Sequence, residues 1–596
     1  MKVRKIIVLS DGTGNSAAKI FKTNVWRLYQ ALDLSGESRQ VARYDDGVGS
    51  SNYKLLAMLG GAVGWGLKRN VLDLYVFICR NYQPANKKRP ADEIYAFGFS
   101  RGAFTVRILL KFILSQGLVK DFDSSDDLRR KARQLYRDFR RERRTRFGLA
   151  TLGRAFRDFF IRRKSFDVHP NIKIKFVGVW DTVDAYGIPI DELKQGIDRY
   201  IWPLALEDSQ FQADRIDKAC HAIGIDDKRT TFHPLLWDES EQSWNSLEQL
   251  PTSTDDEKLT QVFFAGVHAN VGGGYPDDAM SLVPLNWMLK EATKAGLAFS
   301  QSAIQEIQQK AQPCGRLYDS RAGFASYYRY EPRHFAPPRD KQSAYIPFPK
   351  IHESVLVRIA TGTDAYAPVT LPAGCDPARI VVEEHWEDVR AYSGVEQNIF
   401  SLDAYAGLND FGKAYLKIGT VSEGADVIEN IRCPDLHFQE LTWDTVWWRR
   451  VSYFATLVIS IALVVSPVYS VLTSWHVFEM LVAAFGFFFI VATLVAQWFL
   501  RPFVSLLSDA LSSALPSGLS PWLKALREDP SNFLILSALL VACILWGKLI
   551  DRRIADRSFA YYNTHWREGR GPWFETSLRL RRRGARGLRP RLPPYF

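Results

Sequence analysis

Along the first half of the chain, short continuously apolar runs alternate with segments of helical period. Residues 6–9, 94–97, 172–180 and 261–267 are each too short for a helix and end in glycine or polar residues, so they read as buried strands. A shorter strand is predicted over 41–44. Helices are predicted over about 23–32, 70–81, from Thr105 through Phe112, and 285–295. In the second of these, Val71, Leu74, Tyr75 and Ile78 share one face. Strands alternating with helices imply a mostly parallel α/β sheet. The pattern is weaker elsewhere: 190–245 reads as helical and irregular, 354–359 as strand-like, and 386–447 as a connection without a motif. The glycine-rich run 59–66 is apolar but too short to cross a bilayer.

After residue 447 the pattern changes. Residues 451–473 and 477–500 are each long and apolar enough for a transmembrane helix, 533–550 is a shorter third candidate, and 503–523 is a fourth crossing or an interfacial segment. The expected organisation is an α/β domain over 1–385, the connection, an all-α transmembrane region over 448–552, and an arginine-rich tail over 553–596. Arg449 and Arg450 before the first span place the N-terminal domain on the cytoplasmic side of an inner or plasma membrane. The expected location is therefore a membrane, with a multi-pass anchor.

Charge sharpens this picture. The net charge of +12 is concentrated around residues 129–164 and in the tail, which favours anionic surfaces. The insertion over about 121–165 combines arginine clusters with Phe147, Leu149, Leu152, Phe156, Phe159 and Phe160 at near-helical spacing. It reads equally as a lid or membrane-surface element that binds anionic lipid headgroups, or as solvated helices packed on the domain. No nucleic-acid partner is expected, and the oligomeric state is left open. The six cysteines form no C-x-x-C pair, which argues against a zinc site or a disulfide framework. The apolar run after Met1 is too short for a signal peptide and reads as the first strand of a domain.

The chemistry centres on Gly98-Phe99-Ser100-Arg101-Gly102, a G-x-S-x-G pattern between a predicted strand and a predicted helix. Such an elbow exposes the serine Oγ on a strained turn, and the flanking glycines avoid collisions. A serine nucleophile needs a base and a carboxylate to orient that base. Asp181 and His268 each follow a later buried strand, giving the chain order Ser, Asp, His. A carboxylate capping a turn would look the same as Asp181, and a loop histidine the same as His268. Oxyanion donors are expected from the backbone of Arg101 and from Gly12 or Thr13 in the loop Asp11-Gly12-Thr13-Gly14-Asn15. No metal and no cofactor is expected.

Several of these pieces recur together. Ser10-Asp11-Gly12-Thr13-Gly14-Asn15, Gly98-Phe99-Ser100-Arg101-Gly102-Ala103, Val179-Trp180-Asp181-Thr182-Val183, Asp226-Asp227-Lys228-Arg229 and Gly266-Val267-His268-Ala269-Asn270 stand in the order seen in the type VI secretion phospholipase effectors. Over residues 6–372 the chain resembles the α/β-hydrolase domain of that family. The resemblance implies a Ser-Asp-His hydrolase of lipid esters, with the triad on Ser100, Asp181 and His268. Two features depart from it: Asn270 stands where the family usually carries Asp, and the C-terminal spans are foreign to a soluble secreted effector. The expected function is a membrane-anchored phospholipase- or lipase-like serine hydrolase acting on a membrane lipid. The alternatives are an acyltransferase on the same scaffold and a non-catalytic membrane scaffold.

Overall fold

The structure, a computed structural model, describes residues 3–12, 20–47, 62–142, 166–183, 210–239 and 254–333, positions between 344 and 369, 378–381, 416–418, 436–472 and 530–566. Among these, β1 (Lys5–Ser10), β2 (Gln40–Asp45), β3 (Glu93–Phe99), β4 (Ile174–Trp180), β5 (Ile216–Gly224), β6 (Leu259–Phe264), β7 (Lys350–His352), β8 (Ala378–Val381) and β9 (Leu416–Ile418) form a nine-stranded sheet. Its order is β9-β8-β7-β6-β5-β4-β3-β1-β2, and its pairings are parallel. The α/β expectation is met. The order reverses at β1, with β2 on one side and β3 with all later strands on the other. Ligands of open parallel sheets bind at such a switch point, beyond the carboxyl ends of the strands.

Strand alternation divides the core between two faces. Ile6, Val8, Ile94, Ala96, Val177 and Val179 face one layer, built by α2 (Ala62–Asn81), α3 (Arg101–Gln116) and α4 (Ser125–Glu142). Ile7, Leu9, Tyr95, Phe97, Phe176 and Trp180 face the other. There α1 (Asn24–Ala31), α6 (Ala279–Lys294) and α7 (Gln301–Lys310) pack, after the short α5 (His268–Gly272). Because both faces are covered, the central strands read as continuous apolar runs.

Three segments differ from the sequence expectation. The stretch 190–245 contains β5, whose sequence Ile-Asp-Lys-Ala-Cys-His-Ala-Ile-Gly is poor in the β-branched and aromatic residues that mark a strand. Small residues suit it because its last six positions are buried between β4 and β6. Secondly, the strand near residue 354 lies earlier, at Lys350–His352, and positions 354, 355 and 358 are helical. Thirdly, the connection 386–447 carries β9 and the first residues of α8 (Leu436–Leu472).

In the basic insertion, α4 buries Leu128, Ala132, Tyr136 and Phe139 in the core, so its apolar face is spent on the domain. Arg129 pairs with Asp73 of α2 at 2.8 Å, while Arg130, Arg133 and Arg141 are exposed. The phenylalanine-rich half of the insertion lies outside the described residues.

The chain divides into two compact units, and residues 440–557 form the second. It contains the greater part of α8 and of a further long helix, α9 (Pro530–Trp566). Polar groups lie between these helices. Arg449 Nε is 2.9 Å from Asp551 Oδ1, and the Ser452 hydroxyl donates to the Cys543 carbonyl. Apolar residues point outward, among them Val458, Ile461, Val464, Val541, Leu545 and Leu549. Among the described residues one helix, over Leu441–Val465, is long and apolar enough to cross a membrane. Of the other expected crossings, 533–550 lies in α9, and 477–500 and 503–523 lie outside the described residues.

Candidate active site

Ser100 sits between β3 and α3 with φ 57° and ψ −126°, a conformation that costs energy for any residue with a side chain. The turn is tight enough to demand both flanking glycines. A Cβ on Gly98 would come 2.7 Å from the Ala103 backbone, and one on Gly102 would come 2.1 Å from the Ser10 carbonyl oxygen. The Ser100 N–H donates to the Trp180 carbonyl at 3.0 Å, tying the elbow to the end of β4.

The next residue, Asp181, also has positive φ (40°), a conformation that aspartate tolerates better than most residues. Its N–H donates to Ala222 O of β5, and its Oδ1 accepts from the Gly224 N–H at 3.0 Å. Beyond β6, α5 opens with His268. The His268 Nε2 lies 2.7 Å from Ser100 Oγ, and Nδ1 contacts Asp181 Oδ2. The structure therefore brings Ser100, His268 and Asp181 into one hydrogen-bonded line. The Nδ1 contact with a carboxylate fixes the neutral tautomer with the proton on Nδ1, leaving Nε2 free to accept from the serine.

Two arginines flank this line, Arg333 buried and Arg229 partly buried. Arg333 grips Asp181 with both Nη atoms, at 2.7 and 2.8 Å, and also donates to the carbonyls of Gly224 and Phe232. Burial alone would raise the Asp181 pKa, but the Arg333 charge and the His268 hydrogen bond outweigh it and hold the carboxyl well below its usual range. Arg229 makes a bidentate contact with Asp227, whose Oδ2 also accepts from the His268 backbone N–H at 3.2 Å. Burial again opposes ionisation of Asp227, and Arg229 prevails, placing its pKa at about 2. For His268 burial is the largest effect and lowers the pKa, against the raising influence of Asp181, so the imidazole is kept neutral with Nε2 free to accept a proton. The rings of Phe99 and Phe232 lie 4.7 and 5.1 Å from the imidazole, limiting its movement.

Of the expected oxyanion donors in the loop after β1, the Gly12 N–H donates to Asp11 Oδ1 at 2.6 Å, and Thr13 lies outside the described residues. Asp11 in turn accepts from Thr23 Oγ1 and the Tyr44 hydroxyl, which makes it the anchor of the loop. Arg101 is the first residue of α3, where a backbone N–H has no acceptor within its own helix. Among the described residues no cluster of three or more His, Cys, Asp or Glu is arranged to hold a metal ion.

Residues 4–291 match the family model of the type VI secretion system phospholipase effector Tle1-like catalytic domain. By this match the segment is similar to a phospholipase effector catalytic domain. The chain is also 25% identical over 249 residues to the uncharacterised protein YEL023C of Saccharomyces cerevisiae, covering 39% of this chain and 33% of that one. It thus spans about a third of that relative's length. Among solved structures, an uncharacterised protein from Pseudomonas aeruginosa is similar at 19% identity and a TM-score of 0.28, covering 52% of this chain and 48% of that one. The Tle1 effector bound to the VgrG spike of the type VI secretion system is similar at 14% identity and a TM-score of 0.28, covering 54% and 78%.

Within and beside the matched segment, reading by sequence missed Arg333 and gave no role to Asp227 and Arg229. Arg333 follows no strand and belongs to no motif. The other two follow β5, which had no strand signature, and only the family resemblance marked them. Asn270 is buried and its amide donates to the Arg316 carbonyl at 3.0 Å, a bond that an ionised aspartate could not make.

Proposed function

We propose that the N-terminal domain hydrolyses carboxylic esters of membrane lipids by a Ser-His-Asp mechanism. The observation that carries this reading is the 2.7 Å separation of His268 Nε2 from Ser100 Oγ, with Asp181 on the opposite ring nitrogen. Ser100 Oγ attacks the acyl carbonyl carbon as its proton passes to His268 Nε2. Asp181, kept ionised by Arg333, stabilises the imidazolium. The oxyanion takes a hydrogen bond from the Arg101 N–H and another from the loop after β1, for which Thr13 is the remaining candidate. His268 then protonates the leaving alcohol, and water repeats the sequence to release the fatty acid and regenerate Ser100.

The similarity to a phospholipase effector family supports a lipid ester as substrate. The outward apolar face of α8, with Trp447 and Trp448 near its start, supports attachment to a membrane. Such an anchor suits a substrate that stays in the bilayer, and Arg449 and Arg450 favour a cytoplasmic position for the domain.

Labelling by a fluorophosphonate probe tests the mechanism. The detergent-purified full chain should be labelled, and Ser100→Ala should not. Folded wild-type protein that resists the probe would overturn the proposal.

A further inference from the structure

Among the described residues the arginine beside the nucleophile has no anion. Arg101 is partly buried, and among the described residues its guanidinium has no hydrogen bond or ion pair. The other arginines around the site are engaged: Arg107 with the Leu235 carbonyl, Arg229 with Asp227 and Arg333 with Asp181. Burial lowers the Arg101 pKa to about 10, with a smaller opposing effect from Tyr328, so the cation is held where water solvates it poorly. Its electrostatic partner Tyr328 leads back to the triad. Tyr328 feels the charges of both Arg229 and Arg101, and its ring lies 5.4 Å from Phe232, which in turn packs edge-on against His268.

A poorly solvated cation without a counter-ion costs stability unless a ligand completes it. We propose that Arg101, with Tyr328 beside it, is the subsite for the phosphodiester of a glycerophospholipid whose acyl ester is presented to Ser100. This rests on the serine-hydrolase reading above. A phosphodiester stays ionised at all relevant pH and offers two oxygens to the planar fork of a guanidinium. In a glycerophospholipid it shares one glycerol unit with the scissile ester. A cation one residue from the nucleophile can therefore hold the phosphate while the ester reaches Ser100 Oγ. A neutral glyceride leaves Arg101 without its anion.

The test compares kcat/KM of the full chain in detergent micelles for a phospholipid and for a diacylglycerol with the same acyl chains. In Arg101→Gln the phospholipid-to-diacylglycerol ratio should fall by ~10- to 100-fold, the size of one hydrogen bond to a charged group. Arg101→Lys should recover part of it. An unchanged ratio in Arg101→Gln overturns the subsite. A second measurement needs no variant: a non-hydrolysable diether phospholipid should inhibit diacylglycerol hydrolysis at least ~10-fold more strongly than the matching diether glycerol. Equal potency would overturn the proposal, as would inorganic phosphate matching the diether phospholipid, which would assign the subsite to free phosphate. Wild type that fails to react with the fluorophosphonate sinks the serine mechanism itself. A labelled wild type with an unchanged ratio sinks the Arg101 subsite alone.

Discussion

Arg333 closes on Asp181 with two parallel bonds, Nη1 to Oδ1 at 2.7 Å and Nη2 to Oδ2 at 2.8 Å, and the two side chains are 2% and 0% exposed. Through this contact Arg333 governs how much negative charge Asp181 presents to His268. The other charged groups facing the imidazole are Asp227 and Arg229, while His221 lies behind Asp181 and is kept neutral by burial and Arg107. In Arg333→Met the Asp181 charge is no longer compensated, so the imidazolium is favoured. The acid limb of the kcat/KM profile should then move to higher pH, by about one unit. Arg333→Lys keeps the charge without the fork and should shift it less. The pH–rate profile decides: a lower rate with an unmoved limb would leave Arg333 a structural role only.

The Ser100 backbone stores strain that only the nucleophile's position explains. Glycine adopts φ 57° and ψ −126° without the steric cost that a Cβ imposes. Ser100→Gly should therefore raise stability by about 1 kcal/mol while abolishing hydrolysis and probe labelling. Ser100→Ala removes the same chemistry and keeps the strain. Denaturation of the two variants side by side checks this, and equal stabilities would mean that the turn is relaxed.

How much of this was legible follows from where the information lies. Ser100, Asp181 and His268 each follow a run of large apolar residues, and a parallel sheet gathers the carboxyl ends of its strands, so sequence order sufficed to place them together. Strand β5 escaped because its burial is satisfied by Ala219, Cys220 and Ala222, side chains too small to advertise a strand. With it escaped the positions of Asp227 and Arg229. Arg333 was invisible for a different reason: its contact with Asp181 spans 152 residues and depends on no local pattern. The engaged Gly12 amide likewise reflects a side-chain bond that the loop sequence permits but does not require.

A second pH effect should appear in stability. Asp45, at the end of β2, has a pKa raised to about 6, chiefly by burial and further by Asp73 and Asp46, against hydrogen bonds from Ser10 and Asn70. An acid whose folded pKa lies above its unfolded value stabilises the fold while protonated, and that contribution is lost as pH rises through the folded value. The wild type should therefore lose stability between about pH 4 and 6 through this group. Asp45→Asn keeps an acceptor for both hydrogen bonds and cannot ionise. It should be more stable than wild type at pH 8, by about 1 kcal/mol once solvent screening at a partly exposed site is allowed for, with the gain gone at pH 4. Melting curves at the two pH values check this, and a gain of equal size at both would rule out ionisation of Asp45 as its cause.

The basic face of α4 gives the last prediction. Its apolar residues are buried in the domain, so any attraction to a membrane must come from the exposed Arg130, Arg133 and Arg141. Such attraction is electrostatic, worth about 1 kcal/mol per basic residue close to an anionic surface, and it decays within a Debye length. Replacing all three by glutamine should weaken hydrolysis of substrate in anionic vesicles by ~10- to 100-fold at low salt and have little effect at high salt. Turnover of a soluble short-chain ester should be unaffected, because none of the three lies in the triad or its ion pairs. Equal losses on the vesicle and soluble substrates would show that these arginines support the domain rather than its approach to the bilayer.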